Sequence, residues 1–299
     1  MGYRGRFAPS PTGPLHFGSL VAAVGSYLEA RSRGGEWLVR MEDLDPPRVI
    51  PGAASHILHT LRAFGFEWDA PVVHQSTRTE AYHAALQRLR SGGFVYPCAC
   101  SRREVADSAW RGLEGPVYPG TCRDRLRDDR AARALRVRTG AEPIAFSDTL
   151  QGQIVQSLER DIGDFVVYRA DRVFAYQLAV VVDDAEQGIT DVVRGADLLL
   201  STPRQIHLQR LLELPTLRYL HLPVAVNAAG QKLSKQTLAL AVEADTPVPL
   251  LAATLGFLGQ SPDQTMRRLP LPAFWRAAIA QWNTAAMPRV RVQPAPAGL

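Results

Sequence analysis

The spacing of apolar residues changes twice in the first forty positions. Tyr3 to Ala8 reads as a strand and PSPTGPLHFGS as a loop; Leu20, Val24, Tyr27, Leu28 and Arg31 then fall at helical spacing until Gly34-Gly35 end the run. Glu36 to Met41, EWLVRM, is a second strand. Strand, helix and strand in that order predict a parallel pair joined by a crossover. The turn after the first strand lies where open α/β sheets bind ligands.

The pattern predicts further helices over Ala53 to Phe64 and Thr79 to Arg90. From Phe94 to about Gly140 the periodicity breaks into Cys, Pro, Gly and charged residues, the mark of an inserted module. It resumes with strands at Phe165 to Tyr168 and Ile189 to Arg194, and with a short helix or buried apolar run at Tyr176 to Asp183. Ser201-Thr202-Pro203 opens another helix. LHLPVAVNAAGQKLSKQ reads as a strand and turn, two short helices follow Val242, and the tail RVQPAPAGL is expected to fray. The expected organisation is an α/β core in two halves, 1–92 and 141–240, split by an insert at 93–140 and followed by a short helical segment at 241–299.

Composition narrows the class. A chain of 299 residues, 46% hydrophobic, buries a sizeable core. The N-terminus has no apolar signal region, no apolar run approaches the ~18 residues of a membrane span, and Arg6 spoils the myristoylation pattern hinted at by Met1-Gly2, so a cytoplasmic protein without a membrane partner is expected. Three cysteines do not make a secreted disulfide framework. The net charge of +5 permits a polyanionic partner such as tRNA, although an arginine-rich composition arises equally from genomic habit.

Of the 34 basic residues only Lys232 and Lys235 are lysine, both in the stretch QKLSKQT. Keeping lysine where arginine is otherwise used marks a site that wants a compact, mobile point charge. The early loop complements it. His16 stands two residues before Gly18 at a helix start, where glycine admits close backbone approach and the helix N-terminus favours phosphate. Together the two loops suggest ATP, with the lysines stabilising charge that builds on the α-phosphate.

RFAPSPTGPLHFGSL and KLSKQ resemble the two signature motifs of class I aminoacyl-tRNA synthetases, and the long form of the first, with RMEDLDPPR, is similar to the glutamate and glutamine branch. The resemblance runs from Arg6 to about Gln236 and implies a Rossmann-like catalytic core. It also implies that Arg6, Phe7, Ala8, Pro9, Ser10, Glu42, Tyr176 and Arg194 hold glutamate. Pro9, His16, Gly18, Ser19 and Lys235 would hold ATP with its Mg²⁺, and His16, Gly18, Lys232 and Lys235 would carry the catalysis. An arginine fork suits a substrate carboxylate, and Glu42 suits its ammonium. There are two departures. Only 63 residues follow Gln236, too few for the anticodon-reading domain of glutamyl-tRNA synthetases. Val180 stands where that family tends to have asparagine, which predicts a lost hydrogen bond in the amino-acid pocket.

Cys98, Cys100 and Cys122 read as most of a tetrahedral zinc site. With no histidine in the insert, the fourth ligand is Tyr118, a carboxylate such as Glu104, or water, and composition alone favours the last two. YPCAC and VYPGTC resemble the zinc site of a short glutamyl-queuosine branch of the family, which implies Tyr118. Members of that branch activate glutamate with ATP without tRNA, then transfer it to the queuosine base in the anticodon of tRNA(Asp). The chain is accordingly expected to be a monomeric ligase with one zinc ion, taking L-glutamate, ATP and tRNA(Asp) carrying queuosine. The alternatives are a truncated synthetase charging a tRNA 3′ end, a non-catalytic tRNA-binding paralogue, and a zinc-dependent redox or nucleic-acid-binding module.

Overall fold

The computed structural model describes residues 2–108, 110–126, 130–233, 241, 242, 245 and 247–296. β1 (Arg4–Phe7), α1 (Phe17–Arg31) and β2 (Glu36–Met41) form the parallel unit expected from the pattern, with Arg6 opposite Leu38 and Phe7 opposite Val39. α2 (Ala53–Ala63) returns the chain to β3 (Val73–His74), parallel to β2, and α3 (Thr79–Ser91) follows.

β4 (Val95–Cys98) leads into α4 (Arg102–Ser108) and the small hairpin of β5 (Arg111–Gly112) and β6 (Gly115–Pro116). β7 (Ala134–Val137) pairs antiparallel with β4. β8 (Ile144–Asp148) and β9 (Gly152–Gln156) form a hairpin, followed by the short α5 (Leu158–Asp161) and by β10 (Val166–Tyr168), which joins the free edge of β7.

α6 (Tyr176–Glu186) settles the ambiguous apolar run as helix. β11 (Asp191–Gly195), α7 (Thr202–Leu211) and β12 (Arg218–Leu222) make a second parallel unit, and β8 continues that sheet beyond β12. The Thr190 N–H donates to the Arg4 carbonyl at 2.9 Å, which sets β11 beside β1. The carboxyl ends of these two neighbouring strands therefore meet, the crevice in which doubly wound sheets hold ligands.

Side-chain alternation divides the interior. Phe7, Trp37, Val39 and Met41 join the core packed under α1, whereas Leu38 belongs to a second core that includes the apolar residues of α6. Arg6 and Arg40 share the face of Leu38, so two guanidiniums are buried beneath α6, and α6 supplies the carboxylates that make this possible.

β13 (Val224–Val226) continues from β12, and α8 (Pro247–Phe257) and α9 (Leu271–Gln281) are the two short helices expected. The tail corrects the sequence reading. In the part of it that is described, to residue 296, β14 (Val292–Pro294) does not fray but pairs parallel with β13, Val224 opposite Val292. Proline is tolerated there because this two-stranded edge asks few N–H groups of it. Among the described residues no helix is long and apolar enough to cross a membrane.

Candidate active site

A cavity of about 700 Å³ opens at the carboxyl ends of β1 and β11. Arg6, Phe7, Ala8, Pro9 and Ser10 line it from β1 and the loop beyond, Glu42 from the end of β2, Tyr176 from the start of α6, and Arg194 from β11. His16, Gly18, Ser19 and Lys232 line it as well. One chamber thus contains every candidate substrate residue named from the sequence except Lys235, which lies outside the described residues.

His16 caps α1, its Nδ1 accepting from the Ser19 N–H at 3.2 Å, while Nε2 faces Ser19 Oγ at 3.2 Å. A side chain on Gly18 would stand 3.2 Å from the His16 ring and 3.5 Å from the Leu233 carbonyl. Glycine there lets the two signature loops close on each other. Lys232 reaches back to Asp197, across the cavity from α1.

Beneath the loops lies a buried ionic network that sequence reasoning missed. Asp184 receives Arg6 through Nε at 3.1 Å and Nη2 at 3.3 Å, and also Arg40 Nη1 at 2.8 Å. Arg40 Nη2 reaches Glu42 at 3.4 Å. Asp183 takes Arg78 Nε at 2.5 Å, Gln75 at 2.7 Å and Tyr82 Oη at 2.8 Å. Burial alone would raise the Asp184 carboxyl, and Arg6 and Arg40 overcome it and hold the group below the ordinary carboxylate range. Burial wins at Glu42, which is raised despite Arg40 and Arg6. The available signal was two arginines inside apolar strands, which demand carboxylates, and DD at the end of the apolar helix YQLAVVVDD.

Arg194 is held differently. Its Nε donates to His221 Nε2 at 3.1 Å and its Nη2 to Thr202 Oγ1 at 2.8 Å, while Nη1 is buried with no hydrogen-bond partner among the described residues. His221 in turn pairs its Nδ1 with Asp148 at 2.6 Å. Burial, then Arg194, lower the imidazole to about 4 against the pull of Asp148. It is therefore neutral near pH 7, with Nδ1–H on the Asp148 side and Nε2 free to accept from Arg194. Around the cavity floor four guanidiniums, Arg6, Arg40, Arg78 and Arg194, meet the buried carboxylates Glu42, Asp183 and Asp184, and Arg78 also pairs with the exposed Glu186. Val180, where a lost hydrogen bond is expected, is buried in the second core and is not among the residues that line the cavity.

Beside β4, the Sγ atoms of Cys98, Cys100 and Cys122 lie within 4.8 Å of one another, Cys100 and Cys122 at 3.6 Å. Tyr118 Oη faces them, 3.4 Å from Cys98 and 3.8 Å from Cys100. Tetrahedral zinc with bonds of ~2.3 Å sets its sulfurs ~3.8 Å apart, so the three thiols and the phenol fit such an ion. Glu104 is engaged elsewhere. It closes a capping box with Ser101 and pairs with Arg130.

A family model described as the catalytic domain of class I tRNA synthetases (E and Q) matches residues 3–248. The chain is 61% identical to a glutamyl-Q tRNA(Asp) synthetase of Dechloromonas aromatica (strain RCB), with 96% of each chain covered. It is 53% identical to a relative of that name in Neisseria meningitidis serogroup C (strain 053442), covering 98% of this chain and 99% of the relative. The fold is similar to a glutamate-tRNA synthetase from Elizabethkingia anophelis, with a TM-score of 0.78 at 22% identity, over 97% of this chain and 67% of that one. Family model, relatives and fold agree, and the chain belongs to the class I tRNA synthetases of the glutamate and glutamine group, a ligase family, and within it to the glutamyl-Q tRNA(Asp) synthetases.

Proposed function

We propose that this ligase activates L-glutamate with ATP and transfers it to the queuosine base in the anticodon of tRNA(Asp). The observation that carries the activation step is Arg194 Nη1, a buried donor of a cavity-lining residue with no hydrogen-bond partner among the described residues. A buried guanidinium N–H left unpaired costs stability unless a ligand acceptor arrives, and a side-chain carboxylate is the natural one. Glu42 then receives the ammonium, Arg6 and Tyr176 flank the amino acid, and Phe7 to Ser10 form its backbone wall. The choice of queuosine as acceptor is supported by the names of relatives that match nearly the whole chain.

In the first step a glutamate carboxylate oxygen attacks the α-phosphorus of Mg²⁺-bound ATP, the bond to the β-phosphate oxygen breaks, and pyrophosphate leaves. A hydroxyl of the queuosine cyclopentene ring then attacks the carbonyl of the adenylate and releases AMP. His16, Gly18 and Ser19 position the phosphates at the start of α1, and Lys235, with Lys232 beside it, stabilises the charge that develops between them. Cys98, Cys100, Tyr118 and Cys122 would hold a zinc ion that organises the insert. The protein works as a cytoplasmic monomer.

Glutamate-dependent exchange of labelled pyrophosphate into ATP, without tRNA, tests the activation step. Exchange that requires glutamate supports it, and exchange that appears only when tRNA is added overturns it.

A further inference from the structure

A second groove, about 410 Å³, is lined by Arg90 at the end of α3, Arg133 before β7, and Tyr168, Arg169 and Arg172 at and after β10. No carboxylate lines it. Arg169 is occupied, by Asp171 at 2.6 Å and Asp45 at 3.4 Å. Arg90, Arg133 and Arg172 are exposed and form no ion pair with any described residue. Three guanidiniums converging without a counter-ion repel one another, and a fold that keeps them so is suited to a polyanion supplied from outside.

Arg172 adds an independent sign. It closes the turn in which its N–H donates to the Arg169 carbonyl at 3.1 Å, and its φ is +64°. Glycine would take that left-handed conformation without strain, whereas a long side chain there costs energy and tends to be kept for use. A chain of ion pairs links the groove to the cavity of the candidate site. Asp45, the partner of Arg169, pairs as well with Arg48 Nε at 2.5 Å, and Arg48 lines the cavity. Four residues after Arg172 the chain enters the cavity wall as Tyr176.

We infer that this groove is a docking surface for the sugar-phosphate backbone of the RNA arm that delivers the acyl acceptor. The inference rests on the reading that the chain acts on tRNA. An acceptor base must reach the adenylate while its flanking backbone lies on the adjoining surface, and arginine forks match phosphate oxygens in pairs. An acidic protein would offer carboxylates rather than phosphates spaced along a backbone, and nothing about the cavity linked to this groove through Asp45 calls for one.

The test uses the full chain with Arg90→Gln, Arg133→Gln and Arg172→Gln combined, and Arg172→Gly alone. Binding of tRNA is followed by filter retention over a series of KCl concentrations, beside glutamate-dependent pyrophosphate exchange. With three phosphate-binding guanidiniums neutralised, the triple variant should bind tRNA at least about tenfold more weakly at low salt, and the slope of log affinity against log salt should fall by about two. Exchange should stay within twofold of the unaltered protein. Arg172→Gly should lose part of the affinity while its melting temperature holds or rises, since glycine relieves the turn. Unchanged affinity and slope would overturn the groove assignment, as would parallel loss of exchange and binding. Failure of the unaltered protein to bind tRNA at all would instead strike the proposed function, so the two outcomes are distinguishable.

Discussion

Arg6 on β1 and Asp184 on α6 stand 178 positions apart in the sequence and meet in a two-pronged, fully buried pair, Nε to Oδ1 at 3.1 Å and Nη2 to Oδ2 at 3.3 Å. Asp184 also receives Arg40, so one carboxylate fixes two guanidiniums under the candidate cavity. Asp184→Asn keeps the volume but leaves a buried cation uncompensated, and breaking such a pair costs about 3–5 kcal/mol. Urea unfolding should show a loss of that order, with a raised KM for glutamate in whatever remains folded. An unchanged midpoint would mean that the pair does not brace the site.

That network also marks where the sequence could not be read. The two signature loops are legible because local spacing carries their chemistry: His16 and Gly18 stand at a helix start, and Lys232 is one of only two lysines. Asp183 and Asp184 look like the polar end of an apolar helix, since their partners, on β1, on β2 and at the start of α3, lie more than a hundred residues away. The strand alternation is visible in EWLVRM, yet which face is covered by α6 is a tertiary fact. The tail escapes a sequence reading for a related reason. Proline argues against a central strand, and only the presence of β13 as a short edge makes a place for it.

His221 gives the protein an acid limit. Burial, then Arg194, hold its pKa at about 4, below the ~6.5 of an exposed imidazole. Between those values the unfolded chain binds the extra proton, so the contribution is fully present above about pH 6.5 and is lost as pH falls toward 4. At about 1.4 kcal/mol per unit the loss is on the order of 3 kcal/mol. Unfolding free energy measured across that window should drop accordingly, and His221→Gln should flatten the curve. A slope that survives the substitution would place the titration elsewhere.

Gly18→Ala tests the meeting of the two loops. The added methyl crowds the His16 ring at 3.2 Å and comes into ordinary contact with the Leu233 carbonyl at 3.5 Å. Shifts well under an ångström follow, and misplacing a reacting group by ~1 Å costs about a hundredfold. Pyrophosphate exchange should fall about ten- to a hundredfold with little change in melting temperature. Full activity would show that the loops need no such contact.

Tyr118→Phe separates a phenolate ligand from a mere neighbour of the thiols. Altering an outer-shell partner of a metal typically weakens affinity about 10–100-fold, and removal of a true ligand should do no less. Competition with a chromogenic chelator measures this directly. Glu104→Gln should leave zinc affinity unchanged, because its carboxylate faces Ser101 and Arg130. The opposite ranking of the two variants would return the fourth position to the carboxylate.

Deleting residues 291–299 should destabilise the protein and slow activation, because β14 braces β13, whose Val224 and Ala225 line the cavity. The deletion removes the bonds from the Val224 N–H to the Arg291 carbonyl at 2.9 Å and from the Ala295 N–H to the Val226 carbonyl at 2.9 Å. A melting temperature equal to that of the full chain would mean that the tail is dispensable after all.

Where the glutamyl group ends up is decided by transfer of labelled glutamate, with ATP, into total tRNA from matched cells that do or do not make queuosine. Label is expected in the queuosine-containing pool alone, in a form that resists removal of the tRNA 3′ terminal adenosine. Equal label in both pools, lost with that adenosine, would contradict the assignment and identify a synthetase that charges the 3′ end.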